Sequence, residues 1–264
     1  MRESANARVG VKRTKRKDNE MDLNHNTSKS SPQVYARIGG LLYLIMIILG
    51  IIEEVAVRGQ IFVPGNPAGT AANLRSMETL WRFGIAGELL MAIIAVSLAQ
   101  ILYVLTRPAG KNLALLALFF GLVATTVGAA YTLQLIEALF PLGNAEYLKV
   151  FTQEQLNTFA YMAYKSHSLG YGISLLLFGP FFFVTGYLIF RSGYFPKTIG
   201  ALYLIPGVSY LVSSLALILV PVFAAQYYFI IAGPALIGEL SLCLWLLVKG
   251  VNIEKWELKE SLTP

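Results

Sequence analysis

Six ionisable side chains interrupt the long apolar runs of this 264-residue chain: Glu53, Glu54, Glu88, Glu137, His167 and Glu239. An ionised group in hydrocarbon is costly, so each is by default a candidate for function. A carboxylate there needs a partner or water. One within reach of a histidine could work as an acid or base. Glu88 and Glu239 are the most demanding, because their flanks, "AGELLMAI" and "IGELSLCL", hold no ionic partner. Their plain structural reading is a hydrogen bond between helices. His167 carries Tyr164 and Tyr171 on its own helical face, at i−3 and i+4, with Ser174 one turn further on. That stripe fits a wet lining or a proton relay. It fits equally a set of interhelical hydrogen bonds near a membrane interface, where tyrosine is enriched.

The arginines are paired in sequence. In "GIIEEVAVRG" (50–59), Glu54 and Arg58 are four apart and share a helix face. Glu78 and Arg82 do the same, with Arg75 three residues before Glu78. Such pairs finish helix ends at an interface and are individually weak. Their functional reading is a charged mouth for an anionic or zwitterionic ligand, with Arg82 as the anion contact. Glu53 points about 100° away from Glu54 on an α-helix and would serve the mouth of a cavity.

No motif calls for a metal or cofactor. Cys243 is the one cysteine, and there is no CxxC, HExxH, phosphate-binding loop or nucleophile elbow. Catalytic zinc takes three protein ligands, which one histidine among scattered glutamates poorly supplies. Ser166 and Ser168 flank His167, but sequence neighbours on a helix point about 100° apart.

The elements that carry these residues follow from composition. The chain is 56% hydrophobic and 14% charged, with mean hydropathy +0.60. A soluble domain has roughly a quarter of its residues charged. The apolar runs predict six membrane-crossing helices, near 35–57, 79–105, 112–139, 158–190, 197–221 and 226–248. The fold expected is all-α: a six-helix membrane domain over 33–250, a disordered basic tail over 1–32 and a short tail over 251–264. The basic pI of about 9.3 is a property of that first tail. Residues 1–20 hold seven Lys/Arg against Glu3, Asp18 and Glu20, which is +4 of the net +6. Basic residues flanking a span match the anionic cytoplasmic face of a membrane, so the expected partner is the lipid bilayer and not nucleic acid. Met21 is a second possible start. Sixteen of the 21 Lys/Arg fall on the side of the two termini, which puts both in the cytoplasm of a cell membrane.

Local signals mark the helix ends. Asn66-Pro67 reads as a helix start, and Thr152 with Gln155 as a capping box. Ser192-Gly193 ends a helix and Pro196 begins the next. Pro180, Pro206 and Pro234 interrupt the last three spans. Gly172, Gly179 and Gly186 repeat every seven residues, as in a close-packing seam. "GLLYLI" (40–45) echoes "GALYLI" (200–205), from duplication or from the shared demands on a helix that enters a membrane.

Several of these segments are familiar together: "YARIGGLLYLI" (35–45), "TAANL" (70–74), "LWRFGIAGELL" (80–90), "KNLALLALFF" (111–120), "HSLGYGISLLLFG" (167–179) and "GYLIFRSGYFPKTIGALYLI" (186–205). They resemble the bacterial membrane family catalogued as domain of unknown function 4386, over roughly residues 34–250. The resemblance implies a small multi-pass membrane protein and brings no activity or catalytic residues with it.

On this topology all six candidates lie in the outer half of the membrane or at its centre. A polar cavity open toward the outer face is therefore expected, with Glu88, Glu239, His167, Tyr171, Arg82, Glu53 and Glu137 as its residues. Glu54, Arg58 and Glu78 are expected as interfacial ion pairs. The function expected is binding, sensing or moving a small amphiphilic or anionic ligand. The alternatives are a membrane-embedded enzyme acting on a lipid or lipid-linked group, and a structural or partner-binding subunit.

Overall fold

The computed structural model describes residues 31–263. The basic tail of residues 1–30, Met21 included, lies outside the described residues. Ser31 and Pro32 do not belong to it. The Ser31 side chain accepts from the Gln33 amide, and Pro32 opens the first helix.

Among the described residues all regular structure is helical, and six helices are long and apolar enough to cross a membrane. The first crossing is α1 (Pro32–Ile52), prolonged by a π-helical segment, Glu53–Arg58, and one α-turn, Gly59–Ile61. α2 (Pro67–Ser76) follows, capped by Asn66 as its sequence predicts. α3 (Glu78–Thr106) is the second crossing. α4 (Lys111–Tyr131) and α5 (Leu133–Glu137) make the third. The fourth, α6 (Gln153–Ser192), begins at the Thr152–Gln155 capping box and ends at Gly193, whose φ of 81° suits glycine. α7 (Lys197–Leu202) and α8 (Ile205–Leu219) form the fifth, and α9 (Pro221–Val248) the sixth.

Each crossing packs on its neighbours in sequence, and α9 packs on α1, which closes the ring. The seven-residue glycine repeat is a seam. A Cβ on Gly172, Gly179 or Gly186 would meet Leu217, Leu211 or Leu204 of the fifth crossing. Without Cβ atoms, α6 takes these leucines into its surface and the two helices approach closely.

Two connections differ from the sequence reading. A loop is expected over 222–225, but only Val220 separates α8 from α9, because Pro221 starts a helix at its first position. Pro206 does not kink the middle of a helix. It sits near the start of α8, after a break at Tyr203 and Leu204.

The chain after 250 is folded, forming α10 (Ile253–Ser261). It ties the end of the bundle where the described termini meet. Trp256 Nε1 and the Tyr194 hydroxyl both donate to the Leu105 carbonyl, at 3.1 and 2.9 Å. Lys259 donates to the Arg191 and Ser192 carbonyls, and Arg107 pairs with Glu260. These bonds satisfy carbonyls that helix ends leave unpaired. Burial pushes the Tyr194 hydroxyl well above its ordinary range, so it stays a donor.

Candidate functional site

At the opposite end of the bundle the first crossing changes its winding. In a π-helix the hydrogen bonds run from i to i+5, so residues five apart come into line. An α-helix would bring Glu54 to Arg58 and turn Glu53 aside. The π-segment brings both. Glu53 Oε1 lies 3.8 Å from Arg58 Nε, and Glu54 Oε2 lies 3.4 Å from Arg58 Nη1. Glu53 is only 5% exposed, because its carboxylate rests against α3 at Gly84. A Cβ on Gly84 would stand 3.0 Å from Glu53 Oε1, so a bare backbone there permits the approach.

α3 supplies Glu88, ten residues past Glu78 and so about 15 Å along the helix. Its Oε1 lies 3.5 Å from Arg58 Nη2 and 2.9 Å from Nε2 of His167 on α6. The Nε2–H tautomer of His167 donates to it. Glu88 and His167 are both buried. The ring of Tyr171, one turn beyond His167, stacks on the imidazole, with centroids 6.2 Å apart. Arg58 Cζ stands 5.6 Å from the Tyr171 centroid, within cation–π range. Phe62, Tyr164 and Trp81 continue the aromatic wall. Three crossings thus converge on one guanidinium.

The charges do not balance. Among the described residues the buried Glu53 and Glu88 share one cation, Arg58, whose side chain is 14% exposed; with both acids ionised the sum is −1 when His167 is neutral and zero when it is protonated. Glu54, 42% exposed, sits at the rim where solvent screens it. Glu88 Oε2 and Arg58 Nε are buried with no hydrogen-bond partner. Such atoms are uncommon in a finished core and mark unmet polar demand. Chemically the cluster can pass a proton between His167 and Glu88, and it has acceptor capacity left for a cation.

Glu239 lies elsewhere. It stands on α9, nine residues before the helix ends at Val248. The Tyr210 hydroxyl donates to Glu239 Oε1. Tyr43 and Tyr203 share a hydrogen bond of 3.2 Å beside it. The ring of Phe182 packs on Tyr203 and Tyr210. A single site uniting Glu88, His167 and Glu239 is therefore not what the structure shows. α9 packs on α1, α7 and α8, whereas Glu88 and His167 stand on α3 and α6. The two tyrosines that meet here, Tyr43 and Tyr203, are equivalent positions of the "GLLYLI"/"GALYLI" echo.

The other candidates scatter. Arg82 is largely exposed and pairs with Glu78 at 2.7 Å, one turn away at the start of α3. Glu137 closes α5, half-buried. Among the described residues neither is ion-paired to the cluster. Two hollows lie away from the cluster, one lined by Val220, Phe223 and Tyr227 and one, of about 200 Å³, between Arg107, Lys111 and Glu260. The Glu54–Arg58 pair expected at the end of the first crossing is present, and Arg58 is also the hub of the wider cluster. The i,i+5 spacing of Glu53 and Arg58 carries no meaning on an α-helix, so only the π-turn reveals it. For Glu239, the echo was the available signal.

Comparison with known proteins agrees with this architecture and adds no activity. The model of a family described as "Domain of unknown function (DUF4386)" matches residues 38–250. An uncharacterized protein of Archaeoglobus fulgidus is 29% identical over 174 residues, covering 66% of this chain and 87% of its own. No solved structure matches.

Proposed function

We propose, on the premise that the chain belongs to the family described as Domain of unknown function (DUF4386), that this multi-pass membrane protein binds a small amphiphilic cation at the Glu53–Arg58–Glu88–His167 cluster, as a sensor or a carrier. The observation that carries the reading is Glu88 Oε2, a buried carboxylate oxygen without a hydrogen-bond partner, in a cluster where carboxylates outnumber cations. An alkylammonium meets that demand. Its N–H donates to Oε2, and Tyr171 and Tyr164 offer aromatic faces beside it. An anionic ligand has less support, because three carboxylates already face the guanidinium of Arg58. Glu54, on the rim, is the group a cation meets first. The charge asymmetry of the loops supports a cell membrane with both termini cytoplasmic, and so a cluster toward the outer face.

The test is titration of the full chain in lipid nanodiscs with octylammonium and with octyl sulfate. Saturable octylammonium binding is expected, weakened more than tenfold by Glu88→Gln and retained in Glu239→Gln. Binding of octyl sulfate alone, dependent on Arg58, would overturn the reading. One observation favours a second reading. The 2.9 Å contact between His167 and Glu88 is also the arrangement of a carboxylate orienting a catalytic base. Release of a lipid-derived product by the purified protein, lost in His167→Gln, would favour that enzyme.

A further inference from the structure

We infer that the cluster binds its cation in exchange for one proton, so that bound ligand and bound proton exclude each other through the summed charge of the cluster. The inference rests on the cationic reading above. Its basis is the charge count of the buried groups. Glu53 and Glu88 contribute two negative charges and Arg58 one positive. A net charge in a low-dielectric site is unfavourable, so the cluster is stable in a form that brings one further positive charge. Protonation of Glu53 would supply that charge away from Glu88, and two forms supply it at Glu88. In one, His167 is protonated and its Nε2–H donates to Glu88 Oε1. In the other, His167 is neutral and an ammonium donates to Glu88 Oε2. Both are neutral in sum, whereas holding proton and ligand together would leave +1. Binding therefore takes one cation in and sends one proton from His167 to solvent, past the half-exposed Glu54.

The surrounding groups leave this count intact. The first crossing contributes Glu53, Glu54 and Arg58. α3 itself adds Glu78 and Arg82, which pair with each other at the surface. α6 adds Tyr164 and Tyr171, neutral phenols at ordinary pH, and the exposed Lys165. α4 brings the ring of Tyr131, packed on Gly170, and α5 ends in the half-buried Glu137. On α2, Arg75 is bonded to Asn157. His167 is the neighbour hydrogen-bonded to Glu88, the carboxylate that the ammonium would share, which assigns the exchanged proton to it.

The experiment is calorimetric titration of the full chain in nanodiscs with octylammonium, between about pH 5 and 8, in buffers of different ionisation enthalpy. The probe keeps its charge over that range, as a lysine amine does. At the acid end, one proton should be released per octylammonium bound, and affinity should rise about tenfold per pH unit before levelling off. In His167→Gln, octylammonium binding should release no proton, and the affinity that remains should not change with pH. Wild-type binding without proton release would overturn the exchange and leave the cationic reading standing. Absence of octylammonium binding at every pH would overturn both. Proton release that survives in His167→Gln would remove His167 from the mechanism. If that variant does not fold, the wild-type proton count alone decides.

Discussion

Glu88 and Glu239 are both buried carboxylates on membrane-crossing helices, and the bundle accommodates them in different ways. Glu88 faces charge: the guanidinium of Arg58 and the imidazole of His167, with a second buried acid, Glu53, behind the arginine. Glu239 faces neutral phenols, Tyr210 directly and the hydrogen-bonded pair Tyr43 and Tyr203 beside it. The Glu88 cluster leaves two buried polar atoms without partners, and Glu239 is not among the buried groups so left. A satisfied polar network rigidifies a core, while a partly satisfied one retains demand for a proton, water or ligand. One acid is thus bonded into a neutral network among α1, α8 and α9, and the other stands in an ion cluster with polar atoms left unbonded.

The contrast can be broken most forcefully at Arg58. Arg58→Met leaves Glu53 and Glu88 buried without their cation, and removing one partner of a buried pair costs about 3–5 kcal/mol. Unfolding of the full chain in detergent micelles should report that loss. Adding Glu88→Gln should recover more than half of it, as a double-mutant cycle measures. Equal melting of Arg58→Met and wild type would mean that the ion network contributes nothing to the fold.

Tyr210→Phe probes the neutral network. It strips Glu239 of a donor and should cost about 1–3 kcal/mol in the same assay. Glu239→Gln should cost less, about 1 kcal/mol or under, because an amide oxygen can still accept from Tyr210. A loss as large as that of Arg58→Met would show that Glu239 also works as a charge and would erase the distinction. The smallest effect belongs at the surface. Arg82→Gln removes an exposed pair and should change stability by about 0.2–1 kcal/mol, less still in high salt. A larger change would tie Arg82 to the cluster after all.

The helices were legible because their signals are local. Asn66, Thr152 with Gln155, and Gly193 end or begin helices in the structure as their sequence context predicts. The glycine repeat was legible as well, since a seven-residue period keeps Gly172, Gly179 and Gly186 on one face. Glu88 and His167 could be named as candidates from their apolar flanks, but not as partners, being 79 residues apart. At Arg58 one of three carboxylate partners was legible, for a geometric reason. On an α-helix its spacing to Glu54 signals an exposed i,i+4 pair, and that pair does exist. The π-turn adds Glu53 on one side and aims the guanidinium at Glu88 on the other.

By itself, then, the sequence determined six apolar helices with their caps and turns, and which ionisable groups would have to be buried. Hydropathy and capping act over a few residues, and the backbone in hydrocarbon must satisfy its hydrogen bonds within each helix. Only the tertiary structure decided which of those groups meet. Ring closure placed α9 against α1 and so brought Tyr43 beside Glu239, next to the tyrosines of the fifth crossing. A single π-turn, resting on the bare backbone of Gly84, turned "GIIEEVAVRG" from a helix end into the centre of the ion cluster. Such meetings depend on long-range packing and on helix register, to which hydropathy is blind.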